Sequence, residues 1–385
     1  MTQGRPLQEQ DTEQDQTEFS MRVQFSRDGK LLLTGDQTGS AQVWESSTGR
    51  PFGKPLKHPA KITALAFSMD RQSLAIGCAD GTIGFWETES GKPIHFDKHA
   101  GEITEIVPSP DGRWWLSGSR DSQARLWDMT TGKAFGEPWK HPGVVWFVGF
   151  RRDGLVALTS CADGVVRLWD VADGKQRNTQ IQHPYPAWEA YFTRDGQRIV
   201  TGCGPFAGSF GQAQFWDAET GAPVGPAMRH FGAVSSIAIS PDEKLVATAS
   251  FDHSVKIWDM NTSQPVREPL MHHDRVWSVV FSPDGQTLLT SSDDQTAQLW
   301  DVALGKPLGP PMKHNAKVRN ADFCADNHTI ATGALGNSAR TWRAPRSWSG
   351  DVRELNEKIE QLTSTKLSKG GNTEPPPKTI VVREY

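Results

Sequence analysis

Four cysteines in 385 residues, at positions 78, 161, 203 and 324, stand too far apart to form a C-x-x-C pair. Neither a zinc site nor a disulfide framework is therefore expected. Excess charge of one sign is also missing. The 41 Lys and Arg nearly balance the 45 Asp and Glu, for a net charge of −4. No basic field exists to hold a phosphate backbone or an anionic membrane surface, which argues against nucleic-acid and membrane partners. No apolar run approaches the length needed to cross a bilayer, and the opening residues MTQGRPLQEQDTEQDQTEFS are polar and acidic without an apolar stretch, so a cytoplasmic protein is expected. The catalytic signatures are missing too: there is no G-x-S-x-G elbow, Walker loop, dinucleotide glycine fingerprint or kinase motif.

What the chain does have is glycine (36), proline (25) and a tryptophan clock. Trp44, Trp86, Trp127, Trp169, Trp216, Trp258, Trp300 and Trp342 are separated by 42, 41, 42, 47, 42, 42 and 42 residues. A fixed period of this size marks a repeat architecture. An acid follows every one of these tryptophans except the last, where Arg343 stands. A histidine comes next, at 58, 99, 141, 183, 230, 272 and 314, and a phenylalanine lies nine residues beyond it at 67, 150, 192, 281 and 323. Turn strings such as SPDG at 109–112 and 282–285 separate stretches of apolar and polar alternation, as in antiparallel hairpins. Each unit thus reads as four short strands, the third ending in Trp and the fourth running through strings like Gly305-Lys306-Pro307-Leu308.

The succession F-S-P-D-G, S-x-x-D, L-W-D and H closely resembles the WD-repeat family over residues 1–345, and its eightfold recurrence makes the likeness specific. The linker style G-K-P-L-G-P-P-M-K-H is similar to WD-repeat arrays of bacterial signalling proteins, some of which carry a serine/threonine protein kinase on the same chain. The fold implied is an all-β propeller of eight four-stranded blades. Gly4-Arg5-Pro6-Leu7 is similar to Gly49-Arg50-Pro51-Phe52 and stands without a blade of its own, so residues 1–10 are expected to supply the outer strand of the eighth blade and close the ring. Seven blades with one loose unit is the alternative.

The resemblance also implies that each blade is locked by hydrogen bonds among a loop His, a Ser or Thr on the second strand, a turn Asp and the Trp indole. Three complete sets are expected: His99, Ser119, Asp121 and Trp127; His230, Ser250, Asp252 and Trp258; and His272, Ser292, Asp294 and Trp300. Blades two and four keep Asp80 and Asp163 but carry Cys78 and Cys161 at the Ser position, where Cys203 also falls in blade five. Blade one has Thr38 where Asp is expected and blade eight has Gly336. Blade five is interrupted by GPFAGSFGQ, an excess of five residues that should project from the upper face. Histidines spent in this register are structural, and the other four, at 95, 253, 273 and 328, are not spaced as metal ligands, so neither a metal nor a cofactor is expected.

In the family the upper face is lined by residues three and five past the His and by the residue before the turn Asp. Carried onto this chain, that register brings Trp146, Trp188 and Trp277 together with Arg275, Arg319, Lys61, Lys317, Arg120 and Phe251. Aromatic and guanidinium groups on one face are the composition of binding hot spots. A non-catalytic scaffold or sensor is expected, a monomeric propeller taking a protein or peptide, acidic or phosphorylated. The bland reading is that the tryptophans only plug the channel. Two rival functions stand beside the scaffold: a hydrolase-like site using channel acids such as Glu102 and Asp293, and a structural domain of a kinase-linked assembly. Residues 346–385 form an extension. In it Asp351 and Glu354 make a capping box for a helix over 351–364 with Val352, Leu355, Ile359 and Leu362 on one stripe, followed by a flexible tail.

Overall fold

In the computed structural model, which describes residues 5–6, 21–208, 210–336 and 338–344, eight antiparallel sheets succeed one another along the chain. The expected helix over 351–364 and the tail lie outside the described residues. Blade three shows the plan: Ile103–Pro108 is innermost, then Trp114–Ser119, Gln123–Asp128 and, outermost, Ala134–Lys140. Many of the strands are short because an Asp-capped turn ends them. In the turn after the first strand, Asp111 accepts hydrogen bonds from the Ser109 hydroxyl and the Arg113 N–H.

The ring closes at the eighth blade, where the outer position is filled by Arg5–Pro6 from the N-terminus, paired antiparallel with the strand Ser338–Arg343. The pairing is Arg5 opposite Thr341 and Pro6 opposite Arg340, whereas Pro51 in blade one lies opposite Trp44. Relative to blade one the closing strand has slid by two residues, a step that leaves the alternation of faces intact. The seven-bladed alternative is thereby set aside.

The apolar core is not one mass but a layer between each pair of neighbouring blades. Leu116, Trp139, Val145, Val148 and Trp169 make the layer between blades three and four, and Val23, Phe25, Leu32, Ala331 and Ala339 make the one that joins blade one to blade eight. Glycine permits the closest approach. A Cβ on Gly77 would lie 2.5 Å from the Ile103 side chain of the next blade.

Polar ties reinforce these layers around the channel. Backbone N–H groups of one innermost strand donate to side chains of another: Val23 to Asn320 and Phe25 to Asp322, both 2.8 Å, Phe67 to Gln24 at 3.3 Å, and Ile237 to Glu189 at 2.8 Å. Hydroxyls five residues past the loop His do the converse. Thr63, Thr104 and Ser235 donate at 2.6 Å to the carbonyls of Ile103, Val145 and Val276 on the following blade.

Candidate functional site: an aromatic and arginine arc on the upper face

Within each blade the polar lock has a definite geometry. In blade three His99 Nδ1–H donates to Asp121 at 2.9 Å, while the Ser117 hydroxyl lies 2.8 Å from His99 Nε2 and accepts the Trp127 indole N–H at 2.8 Å. Blade six does the same with His230, Asp252, Thr248 and Trp258, and blade seven with His272, Asp294, Thr290 and Trp300.

This corrects the expected sets in one member. Ser119, Ser250 and Ser292 touch neither the His nor the Trp of their blades. Their hydroxyls donate to the carbonyls of Gly101, Gly232 and Asp274 and accept the N–H of Asp121, Asp252 and Asp294. The residue two positions earlier sits on the same face of the strand, one step closer to the Trp across the pairing, and so it takes the bridging role.

The variant blades depart from the plan for visible reasons. In blade two the bridging position is Ile76, and the Trp86 indole donates straight to His58 Nε2 at 3.1 Å. Asp80 and Asp163 leave their histidines for cations, Lys98 at 3.3 Å and Arg167 at 2.6 Å. In blade one Asp36 caps the turn, accepting from Thr38 and Ser40. His183 in blade five has no polar partner for either ring nitrogen among the described residues and meets Trp216 edge-on. Burial holds His58, His141, His183 and His314 neutral by pulling each down to about 4. Among the described residues no three His, Cys, Asp or Glu side chains are grouped to hold a metal ion.

With the register histidines so occupied, the groups left on the upper face form a continuous arc from blade two to blade eight. Lys61 lies in the field of Glu102 and Arg120, and Arg120 pairs with Glu102 at 3.1 Å. The Arg120 guanidinium covers the Trp146 ring at 4.8 Å, and Trp146 stacks on Trp188 with centroids 5.3 Å apart. Trp188 meets Phe251, and Phe251 lies 4.8 Å from Trp277. Arg319 covers Trp277 at 4.3 Å and, with Lys317, binds the buried Asp293 at 3.0 and 3.3 Å. Burial works to raise the Asp293 carboxyl, and Arg319, the Trp277 indole and Lys317 overcome it and hold it below the usual value. Arg275 joins this chain through the Phe251 ring, 5.2 Å from its guanidinium.

One member was missed. Phe206, 53% exposed, comes from the blade-five insertion and packs on Phe251 at 5.5 Å and Trp188 at 6.1 Å, with the Arg275 guanidinium 5.3 Å from its ring. The loop is fastened at its base, where the Trp188 indole donates to the Gly204 carbonyl at 2.7 Å. Gly204 has φ +156, and a Cβ there would fall 2.5 Å from Ala233 Cα. The break in the 42-residue spacing was the signal, but it located the loop and not the ring. Exposed Tyr185 and Phe231 extend the same sector outward on the histidine loops of blades five and six.

Register also argues against the channel-plug reading. Five residues past the His, blades two, three and six place the hydroxyls that tie one blade to the next. Blades four, five and seven give up that tie for Trp146, Trp188 and Trp277, each still partly exposed. A side chain chosen only for stability would keep the tie.

A second set of groups went unnoticed in the sequence. Glu105, Glu189 and Tyr191 approach one another in the channel, and burial pushes Glu105 up to about 7, Glu189 to about 8 and Tyr191 well above its ordinary value. On the blade-eight wall, burial likewise raises Asp322 to about 6. Nothing in the linear pattern distinguishes these acids from ordinary strand residues.

Eight antiparallel sheets succeeding one another in a closed ring define an eight-bladed β-propeller. The sequence model described as WD domain, G-beta repeat matches residues 51–87, 91–128, 138–170, 226–259 and 263–301. Among solved structures, the crystal structure of the computationally designed Ika8 protein superposes with a TM-score of 0.73 at 21% identity, covering 86% of this chain and 98% of that one, a likeness that speaks for the fold alone. No curated protein matches the sequence. WD-repeat propellers are typically protein-interaction scaffolds and generally non-catalytic.

Proposed function

We propose that this propeller is a recognition module that takes a protein or peptide on its upper face, with Trp146, Trp188, Trp277, Phe206, Arg275 and Arg319 as anchors. The observation that carries the reading is the unbroken contact chain from Arg120 to Arg319, in which three partly exposed tryptophans are held in place by neighbouring rings and guanidinium groups. Such pre-ordered aromatic and Arg groups bury much area on binding at a small entropic cost. The partner offers apolar groups and negative charge, acidic or phosphorylated. We further propose that the propeller is monomeric and cytoplasmic and serves a signalling assembly of the bacterial kinase-linked kind suggested by its G-K-P-L linkers.

The test is capture of partners from lysate by the immobilised full chain, compared with a Phe206→Ala and Trp277→Ala double variant of unchanged circular dichroism and Tm. These sites avoid Arg319, whose replacement by Glu would set two carboxylates against each other at Asp293. A partner held by the native chain should be lost from the variant. If every partner binds both alike, the upper face is the wrong surface.

A hydrolase reading has one observation in its favour, the protonatable pair Glu105 and Glu189 in the channel. Glu189, however, accepts the Ile237 N–H of the neighbouring blade and bonds Tyr191 and Ser236, which makes it a tie in the channel wall. Screening ester, phosphate and glycoside substrates decides the matter: turnover that vanishes in Glu189→Gln would establish the enzyme.

A further inference from the structure

The cations of the arc are unequal. Arg120 is paired with Glu102, and Lys317 and Arg319 share Asp293. Arg120 is matched one to one, whereas Lys317 and Arg319 share a single carboxylate. Arg275 differs, for among the described residues it forms no ion pair. The nearest acid in sequence, Asp274, accepts the backbone N–H of Arg275 at 2.7 Å. The half-buried Arg275 guanidinium packs instead against two aromatic rings, 5.3 Å from Phe206 and 5.2 Å from Phe251, which meet edge-on 5.5 Å apart.

Aromatic walls attract a cation but do not neutralise it. They leave a guanidinium the in-plane N–H fork, the geometry that accepts a carboxylate through two parallel hydrogen bonds. Charge matching then selects among anions. A carboxylate brings one negative charge, equal to that of the Arg275 guanidinium, and its planar pair of oxygens matches the fork. A phosphate monoester brings about −1.5 to −2 and costs more to desolvate against an apolar surround than a singly charged carboxylate. Around the fork the surface is apolar, with Phe206, Trp188 and Trp277.

We infer that Arg275 is the receptor for a single carboxylate, an aspartate or glutamate side chain flanked by apolar or aromatic residues on the partner, and that the blade-five insertion sets this preference by placing Phe206 over the guanidinium. The inference rests on the upper-face reading proposed above and narrows it: the partner segment is sparsely charged, neither polyacidic nor phosphorylated.

The test is selection of a random twelve-residue peptide phage library on the immobilised full chain, followed by fluorescence anisotropy of labelled synthetic copies of the enriched peptides. Enriched sequences should carry one Asp or Glu next to an apolar residue. Exchanging that acid for its amide should weaken binding to the native chain by about tenfold or more, the worth of a charge-assisted fork, and should make no difference to an Arg275→Gln variant. Arg275→Lys, which keeps the charge without the fork, should recover only part of the affinity, and a phosphoserine exchange should not improve it. Tighter phosphopeptide binding, indifference to the amide exchange, or equal loss from the amide exchange in native and Arg275→Gln chains overturns the receptor while leaving the upper face in place, provided the peptides still release from Phe206→Ala and Trp277→Ala. Peptides indifferent to those two substitutions overturn the upper-face reading itself.

Discussion

The hydroxyl that bridges loop His to blade Trp is the residue on which each lock turns. Ser117, Thr248 and Thr290 each serve two ring nitrogens in a buried setting. Ser117→Ala strands both, which should cost about 1–3 kcal/mol and lower Tm. Ser119→Ala removes a weaker turn contact and should cost less. Urea denaturation of the two variants checks the order, and equal effects would argue against the bridge. The spacing Ser119-Arg120-Asp121 pointed to Ser119 because hydroxyls occupy both positions in these three blades. What separates them is recurrence: a Thr or Ser stands ten residues before the Trp at 34, 117, 159, 248, 290 and 332, whereas the later position drifts through Asp, Cys, Ser and Ala.

Glu189 makes a pH-dependent contribution with a definite sign. Its folded value of about 8 exceeds the unfolded value of about 4.3, so the native ring holds a proton the open chain has lost. This group's contribution is intact below about pH 4 and is lost as pH rises toward about 8. The groups facing it are Glu105, Tyr191 and Ser236, with Arg22 acting on Glu105. The buried histidines act in the opposite sense: folded values of about 4 mean that their contribution is present above about 6.5 and fades as pH falls to about 4. Glu189→Gln should therefore flatten the alkaline side of a Tm-against-pH profile and leave the acid side unchanged. A parallel shift of the whole profile would mean that Glu189 ionises freely in the ring.

At the scale of elements, two segments differ from the repeat and do the most. The N-terminal strand Arg5–Pro6 covers the edge of blade eight. Removing residues 1–10 should lower Tm and, by exposing Ser338–Arg343 as a bare edge, promote association in sedimentation runs. A truncated chain that melts and sediments as the full one would show that the strand is dispensable. This element was legible because G-R-P-L is a fragment of the repeat out of place. The insertion after Cys203 was legible as a length, whereas its use was not, since the contact of Phe206 with Arg275 joins blades five and seven and depends on how the ring brings separate loops together.

For the whole molecule, the ring explains why a periodic sequence can present one aperiodic surface. The inter-blade layers repeat around the ring, and the full lock of His, Asp and Trp recurs in blades three, six and seven. What varies from blade to blade is the residue five past the His and the one before the turn Asp, and these converge on the upper face. The nine upper-face residues could be chosen from register alone for that reason. The ion pairs among them could not, because Glu102–Arg120 and Asp293–Arg319 cross from one position of the register to another.

The central claim, that recognition occurs on the arc, is tested most directly by hydrogen–deuterium exchange of the full chain with and without a captured partner. Protection is predicted in the upper-face loops that carry Trp146, Trp188, Phe206, Phe251, Arg275 and Arg319, with the turns at 109–113, 151–154 and 282–286 on the opposite face exchanging as in the free protein. Protection centred on those lower turns or on the outer strands, with the arc unchanged, would contradict it.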